Sequence, residues 1–523
     1  MPQIASEIID IYEITEGLNT VKSGIRITSN ELKDCQNIRY FPIGGFMWRQ
    51  GYTTFGDNPG QACTGLYMGR FSSNTNFAFR TRGSKVEYMA SMNGTWTDIT
   101  NSVTLTSGQN NLFSFDILND IVIGVNGVDN AIQISSAPLT TTVGALPGSV
   151  IPTYVYQHRG YMWYVTADKV FFSDLNTPAT VGANNYVQSG SKQGGANIAG
   201  VDYAGRNFVF KRHGIYAVDF QPTQVDSSGT LFPFTSNPVS LVAGVGTQSP
   251  KSLVKFTTPI THKSPGQELV FFVDQFGVPR LFDGQVTTAI GASILTSRDS
   301  TITSLANMDR TRLPYVWAVN DTANNLIQVF MSSTGQTKHD VCWVLDYRSS
   351  FAWCRDSYVD TFNAGAIFEN TNGTFTPYFG TYTGQVMKMN STQTDNGGAI
   401  TSYARTGDMF INRVAVRSKW IYNEIRGTAG SDTQSLSVSY YEDGQDSPSV
   451  ATSVILYKQN QSTWDDVNWD EFNYVYDGLT TTSSEINLET KTLGVKFSNS
   501  TSGNTATIEG FSLFGIPEGW KQE

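Results

Sequence analysis

The sequence is poor in charge, histidine and cysteine. Only 15% of its 523 residues are charged, and 35 Lys and Arg against 45 Asp and Glu give a net charge of -10. Coiled coils, helical bundles and charged disordered tails need Lys and Glu on their solvated surfaces, so the composition argues against all three. Stable nucleic-acid binding concentrates basic residues on one face, and no basic run stands out here. The charge balance therefore disfavours tight DNA binding, although it allows DNA to pass nearby.

The four cysteines, Cys35, Cys63, Cys342 and Cys354, are too few and too scattered for a disulfide scaffold or a zinc site. We expect reduced, buried thiols, with a cross-strand pair between Cys342 and Cys354 as the alternative. The first residues lack the basic and apolar regions of a signal peptide, and no apolar run approaches the roughly 20 residues that span a bilayer. The chain is therefore expected to be made in a cytosol and to have no membrane anchor.

Glycine, aromatic residues and short alternating runs are abundant instead. The chain has 48 glycines and 12% aromatics. From about residue 71 to 389, runs of five to eight alternating apolar and polar residues are separated by Gly, Asn, Asp or Pro, which is typical of β-hairpins. Such pairs recur every 40 to 50 residues, a period that indicates propeller blades. The pattern predicts an all-β fold with a β-propeller of six or seven blades, and two consecutive sandwiches are the alternative.

The two ends of the chain differ from this middle part. Ile4–Ile14 reads as a strand, and Gly44–Tyr52 reads as a tight hairpin. Thr28 and Glu31 match a capping box, which predicts a short helix through Leu32–Gln36. After about residue 406, six or so strands separated by longer polar loops predict an additional β-sandwich. We therefore divide the chain into an N-terminal arm (1–55), a propeller (56–405) and a C-terminal β-sandwich (406–523).

One loop of the C-terminal region combines acidic and aromatic residues. Tryptophan supplies area that can be desolvated in an interface, and acids supply selectivity, so we interpret the loop as a candidate partner contact. Ordinary strand alternation is the alternative. The residues concerned are Trp464, Asp465, Asp466, Trp469, Asp470, Glu471 and Phe472.

Catalytic motifs are lacking. The sequence has no Walker loop, His-Glu-x-x-His, Gly-x-Ser-x-Gly or EF-hand pattern, and its four histidines are isolated from one another and from cysteine. We therefore predict no enzyme, no metal and no cofactor. Propellers also host glycosidases, and Met92–Trp96 is similar to the Asp-box turn of sialidases, but Asn93 stands at the aspartate position. Glycoside hydrolysis further needs two carboxylates facing one sugar, which the sequence does not pair.

Several short motifs, in order, resemble a known family. Gly17-Leu-Asn-Thr20 is followed by Glu31-Leu-x-Asp-Cys-Gln-Asn37 and by Arg49-x-Gly51-Tyr52. This series resembles the start of the tail nozzle proteins of short-tailed bacteriophages, the tail tubular protein B class of podoviruses. The similarity continues through nearly the whole chain, in short pieces such as Phe210–Tyr216 and Trp343–Trp353.

The resemblance implies a six-bladed propeller with a β platform domain. It further implies a structural virion protein, six copies of which form the distal tube through which DNA leaves the virion. The tube would dock on a ring of adaptor subunits and help to carry fibres or spikes, and DNA would pass without stable binding. We expect the N-terminal arm to contribute contacts through Leu18, Asn19, Arg49 and Tyr52. A receptor- or glycan-binding adsorption propeller and a polysaccharide-degrading tail enzyme remain the alternatives.

Replacing Trp464 and Trp469 with Ala should leave the propeller folded and weaken assembly, because the change removes the aromatic area of the predicted contact loop. Electron microscopy of tails or rings formed by the variant measures this effect. Unchanged assembly would mean that the loop is not a contact.

Overall fold

The computed structural model describes residues 7–73, 76–90, 92–143, 146–188, 193–221, 233–234, 239–430, 433–458, 480–501, 503 and 505–518. The chain is nearly all-β, with 51% strand and 3% helix. The helical residues form short 3-10 turns at Gly24–Arg26, Ala292–Ile294, Leu305–Asn307 and Arg310–Tyr315. The predicted all-β class is therefore confirmed.

The N-terminal arm contains six short strands, which pair with three different parts of the molecule. They are β1 (Glu7–Ile11), β2 (Gly17–Leu18), β3 (Glu31–Gln36), β4 (Ile38–Arg39), β5 (Phe46–Trp48) and β6 (Gly51–Phe55).

The middle of the chain forms antiparallel sheets of four strands, one after another. The first three are β7 (Cys63–Arg70), β8 (Asn76–Arg82), β9 (Lys85–Met89) and β10 (Thr97–Asp98); β11 (Ser114–Leu118), β12 (Ile121–Val125), β13 (Ile132–Ser135) and β14 (Thr140–Thr142); and β15 (Tyr154–His158), β16 (Tyr161–Val165), β17 (Val170–Phe172) and β18 (Tyr186–Val187).

The remaining sheets of this region continue the pattern. They are β19 (Asn197–Tyr203), β20 (Arg206–Lys211), β21 (Gly214–Val218) and β22 (Val239–Ala243); β23 (Val254–Thr257), β24 (Glu268–Val273), β25 (Pro279–Phe282) and β26 (Thr287–Ala289); β27 (Trp317–Asp321), β28 (Leu326–Met331), β29 (Val341–Asp346) and β30 (Ala352–Asp356); and β31 (Phe362–Glu369), β32 (Phe375–Thr381) and β33 (Val386–Thr392), to which β6 adds the fourth strand.

These sheets are the blades of a closed propeller. First strands of neighbouring blades pack against one another at six of the seven junctions, including β31 of the last blade against β7 of the first. Blades four and five share a core in which the rings of Phe210 and Phe272 lie 5.3 Å apart. Because neighbouring blades cover both faces of a blade, strands such as β28 are buried at every residue.

The propeller has seven blades in the described part of the chain, which lies within the six or seven that the sequence pattern predicts, whereas the six that the resemblance implies is wrong. The extra blade is the one whose strands come from both ends of the propeller sequence. In it β6 pairs with β33 through Phe55 and Val386. Its fourth strand lies in the arm, more than 300 residues from the other three, so counting hairpins along the sequence could not decide between six blades and seven.

The C-terminal residues form the predicted β-sandwich. Its strands are β34 (Ser402–Thr406), β35 (Ser418–Ala429), β36 (Thr433–Glu442), β37 (Val450–Tyr457), β38 (Thr480–Thr490), β39 (Leu493–Asn499) and β40 (Ala506–Pro517). One sheet has the strand order β38-β35-β40-β5-β4, and β1 also pairs with β40 in this sheet. The other sheet contains the strands β34-β39-β36-β37 in that order. Between the sheets, Trp420 is buried and the rings of Phe497 and Phe511 lie 5.0 Å apart.

One sheet runs from the propeller into the sandwich. The sixth blade continues beyond β30 through β2 and β3 to β34, giving a sheet of ten strands. Gly17 of β2 pairs in parallel with Trp353 and with Glu31, and Leu32 of β3 pairs antiparallel with Thr406. We call the crossing from β30 through β2 and β3 to β34, together with the side chains that pack around it, the joint.

Two local predictions for the arm are wrong. Glu31–Gln36 is a strand, not a helix, because it pairs with β2 on one side and β34 on the other. The Thr28 hydroxyl still donates to Glu31 Oε2 at 2.9 Å, so the capping contact forms without the helix. The predicted hairpin at Gly44–Tyr52 is also absent from the described strand pairs, since β5 pairs with β4 and β40 while β6 pairs with β33. The four cysteines are free and buried, as expected.

Gly17→Ala should destabilise the joint more than a glycine change at an open turn. Gly17 has φ +75°, and a Cβ there would lie 2.7 Å from the Trp353 backbone nitrogen. The backbone conformation alone costs an alanine about 1–2 kcal/mol, and the clash adds to that cost. Thermal unfolding measures the difference.

Gly148→Ala is the matched control. Gly148 has φ +79°, and no atom lies within 4 Å of the place that a Cβ would take, so only the conformational cost applies there. Equal losses of stability in the two variants would show that close approach at the joint does not matter.

Candidate functional site

The four arm residues expected to meet a partner are buried inside the chain. Leu18, Asn19, Arg49 and Tyr52 are each 6% exposed or less. Their side chains therefore contact other parts of the same molecule, and a contact of theirs with a partner stays a prediction. The candidate loop Trp464–Phe472 lies outside the described residues, so its role as a contact stays a prediction.

Arg49 is the centre of the polar contacts at the joint. Its guanidinium donates to both carboxylate oxygens of Asp395, at 2.8 and 2.6 Å. It also donates to Asn37 Oδ1 at 2.8 Å and to the Ser357 carbonyl at 2.6 Å. The same group lies 4.3 Å from the centre of the Tyr358 ring. A planar guanidinium can satisfy all these acceptors at once, which an ammonium group cannot.

Arg39 makes a second buried pair beside the first. It donates to the two carboxylate oxygens of Asp356 at 2.9 and 2.6 Å, and the Tyr358 hydroxyl donates to the same carboxylate at 2.9 Å. Burial opposes ionisation of Asp356, but the Arg39 guanidinium outweighs it and lowers the pKa of that carboxyl. The acid is therefore held as a carboxylate in the interior.

Asn37 and Tyr52 link the arm to the loop that follows the sixth blade. The Asn37 amide donates to the Thr401 carbonyl at 2.8 Å and accepts from the Ser357 backbone at 2.9 Å. The Tyr52 hydroxyl donates to Asp360 Oδ2 at 3.0 Å and accepts from the Asp360 backbone at 3.0 Å. These bonds connect the arm, the propeller and the sandwich in one network.

The sequence motifs identified only half of this network. Asn37, Arg49, Tyr52 and Asp395 belong to the resembling motifs, whereas the second pair, Arg39 and Asp356, does not. Asp356 ends strand β30, and nothing in its sequence position marks it as the partner of an arginine more than 300 residues away. A buried arginine needs a carboxylate, but the sequence does not say which one.

An apolar cavity of about 620 Å³ opens where the arm meets blades five and six. Phe41 and Ile43 are about half exposed on it, and Ile260 is 90% exposed. The Arg348 guanidinium lies 4.8 Å from the centre of the Phe41 ring. Exposed apolar side chains that form one contiguous patch are typical of surfaces that contact another molecule.

A second cavity, of about 300 Å³, holds several charged groups on the sandwich side of the joint. Asp408 is 5% exposed, and its Oδ1 has no hydrogen-bond partner in the described part of the chain. Burial raises the pKa of Asp408. Asp299 and Asp446 lie within hydrogen-bonding reach of each other in the same cavity.

Three bases line this cavity together with the acids. Lys22 is bound to Glu31 at 2.7 Å, and Arg298 donates to the Val21 carbonyl at 3.1 Å. Lys33 also lines the cavity and acts electrostatically on Asp408. Acids and bases are thus interleaved in this cavity.

The histidines lie in separate places in the fold. His158 contacts Asp202 at 3.0 Å, and His339 contacts the Tyr382 hydroxyl at 2.7 Å. Burial lowers the pKa of His339 to about 3, so it is neutral at ordinary pH.

No group of three or more His, Cys, Asp or Glu side chains among the described residues could hold a metal ion. Over the same residues, no helix has the length and apolar character needed to cross a membrane.

Comparisons with known proteins give distant structural neighbours. No protein-family model and no curated protein matches the chain. Among solved structures, the computationally designed Ika8 protein has 11% identity and a TM-score of 0.36, covering 65% of this chain and 99% of its own. YCF48 bound to D1 peptide has 8% identity and a TM-score of 0.36, covering 65% and 99%.

The N-terminal part of BBS1 in complex with ARL6 has 10% identity and a TM-score of 0.37, covering 65% of this chain and 97% of its own. These neighbours are β-propellers. Likeness at this level carries no statement about function. The assignment of the fold depends on the strand pairing and on the closed ring of blades described above.

Arg49→Met should lower stability by about 3 kcal/mol or more, because it leaves the Asp395 carboxylate buried without its partner. Arg70→Met is the matched control, since the Arg70–Glu369 pair lies at the surface and exposed pairs contribute about 1 kcal/mol or less. Thermal unfolding of the two variants measures the contrast. Equal effects would contradict a structural role for the Arg49 cluster.

Proposed function

We propose that this chain is a structural subunit of the distal nozzle of a short bacteriophage tail. Copies of it surround the tail axis as a hexameric tube, through which DNA leaves the virion. The tube docks on the tail adaptor and helps to carry fibres or spikes. The chain acts as a wall segment and not as an enzyme.

The observation that carries the proposal is where the resembling motifs lie in the fold. Gly17, Asn37, Arg49, Gly51 and Tyr52 belong to the motifs that resemble the nozzle family, and all five lie at or beside the joint. A Cβ at Gly51 would lie 2.0 Å from the Thr394 carbonyl oxygen. The motifs are thus explained by the attachment of a propeller to a sandwich, which is the architecture that the resemblance implies.

The propeller axis of a single chain is too narrow to be the conduit. Aromatic side chains from the innermost strands, among them Tyr67, Phe115 and Tyr154, line an axial cavity of only about 160 Å³. Tyr67 and Phe115 are stacked with ring centres 5.7 Å apart. A tube for DNA therefore has to form between copies, and a ring of repeated head-to-tail interfaces closes by symmetry.

The low charge suits such a tube. A lumen lined by Lys and Arg would hold DNA through many phosphate contacts, each releasing counterions. A chain with a net charge of -10 and 15% charged residues offers few such contacts. We expect the surface that faces the tube to be acidic to neutral.

The number of blades departs from the family expectation. The resemblance implies six, and the described chain has seven. The proposed number of copies in the ring, six, does not depend on the number of blades, because it is set by contacts between chains and not by strands within one chain.

Electron microscopy and native mass spectrometry of the purified chain, with and without the other tail proteins, test the proposal. We expect six-fold rings, formed by the chain alone or on addition of the adaptor. Particles that remain monomeric even with the adaptor would contradict it. A basic inner surface in the reconstructed ring would contradict passage of DNA without binding.

A further inference from the structure

The axial cavity of the propeller contains an unusual mixture of groups. It lies where the innermost strands begin, and β7, β11, β15, β27 and β31 all contribute to its wall. Successive blades have the same strand order and the same connections, so their innermost strands point in the same direction. The first residues of these strands therefore lie together at one end of the propeller axis. Tyr67, Tyr154 and Ser114 bring hydroxyl groups to the lining, and Phe115 and Trp317 bring aromatic surface.

Lys251 adds a basic side chain to this lining. It precedes β23, and its position is fixed by the backbone, since the Ala318 amide donates to the Lys251 carbonyl at 3.0 Å. The residue is partly exposed along its length, whereas its Nζ is buried and has no hydrogen-bond partner in the described chain. A buried amine without an acceptor is costly, and proteins resolve the cost by neutralising it or by pairing it with an anion.

No other group among the described residues relieves this cost. Burial lowers the pKa of Lys251 to about 7, and no described carboxylate acts on it. Burial raises the pKa values of Tyr67 and Tyr154, and the Asp116 carboxylate raises them further. The Asp116 carboxylate already accepts from the backbone amides of Ile117 and Gln157, at 2.8 and 2.6 Å.

We propose that the axial cavity binds a small oxyanion, of carboxylate or phosphate size, paired with the Lys251 amine. The volume of 160 Å³ equals that of about five liquid water molecules, which suits an ion. It is below the roughly 300–1,000 Å³ of sites for larger organic ligands. Lysine has a flexible four-carbon stem, so the amine can turn toward an anion in the cavity. The aromatic side chains of the wall lower the local polarity, which strengthens the attraction between the amine and an anion.

Thermal unfolding in slightly acidic buffer tests the proposal, with the wild-type chain, Lys251→Met and Lys419→Met compared. Each is measured with millimolar phosphate or acetate and with sodium chloride of equal ionic strength. The wild-type chain and the Lys419→Met control, which removes an exposed lysine of the sandwich, should melt about 2 °C higher in one of the oxyanions than in chloride. Lys251→Met should show no such difference.

Comparing acetate with phosphate shows whether the ligand is a carboxylate or a phosphate. A general salt effect would raise the melting temperatures of all three proteins equally. Equal shifts in the three proteins would overturn the proposal. If Lys251→Met fails to fold, calorimetric titration of the wild-type chain decides instead. Binding of one oxyanion per chain supports the site, and no binding in the millimolar range overturns it.

Discussion

Backbone hydrogen bonds between the sixth blade and the first strands of the chain hold the molecule together. Through β30, β2, β3 and β34, half of the sandwich is an extension of one propeller blade. The successive ladders of this crossing contain one residue pair between β30 and β2, two between β2 and β3 and four between β3 and β34. The bonds of Arg39 to Asp356 and of Arg49 to Asp395 reinforce them. The propeller and the sandwich therefore form a single stiff body and not two domains on a linker.

The buried ion pairs depend on that sheet and also stabilise it. Arg39 and Arg49 can be buried because each forms an ion pair, with Asp356 and Asp395 respectively, that compensates for the lost hydration of its guanidinium group. Burying four charges is expensive, and such pairs fix one arrangement of the parts more than they add to stability. In the proposed tube, one fixed arrangement would let neighbouring copies meet surfaces of constant shape.

The sequence predicted what depends on local patterns. The hairpin Phe77–Met89 and its relatives follow from alternating residues and turn glycines, and the structure has them as antiparallel pairs. What could not be predicted depends on distant partners. Glu31–Gln36 has the local signal of a helix, but two strands from elsewhere in the chain make it a strand. The arm strand that completes the seventh blade, the partners of Arg49 and the position of Lys251 in one cavity with Tyr67 all require knowledge of which remote segments meet.

The way the ring of blades closes has a consequence for synthesis. Phe55 pairs with Val386, and Ile11 pairs with Phe511. A nascent chain leaving the ribosome carries β1 and β6 for most of translation before their partners β40 and β33 exist, and β3 waits in the same way for β34. Those unpaired edges are open to association with other chains. We therefore expect the production of this protein at high concentration to depend on chaperones that shield its beginning until its end has been made.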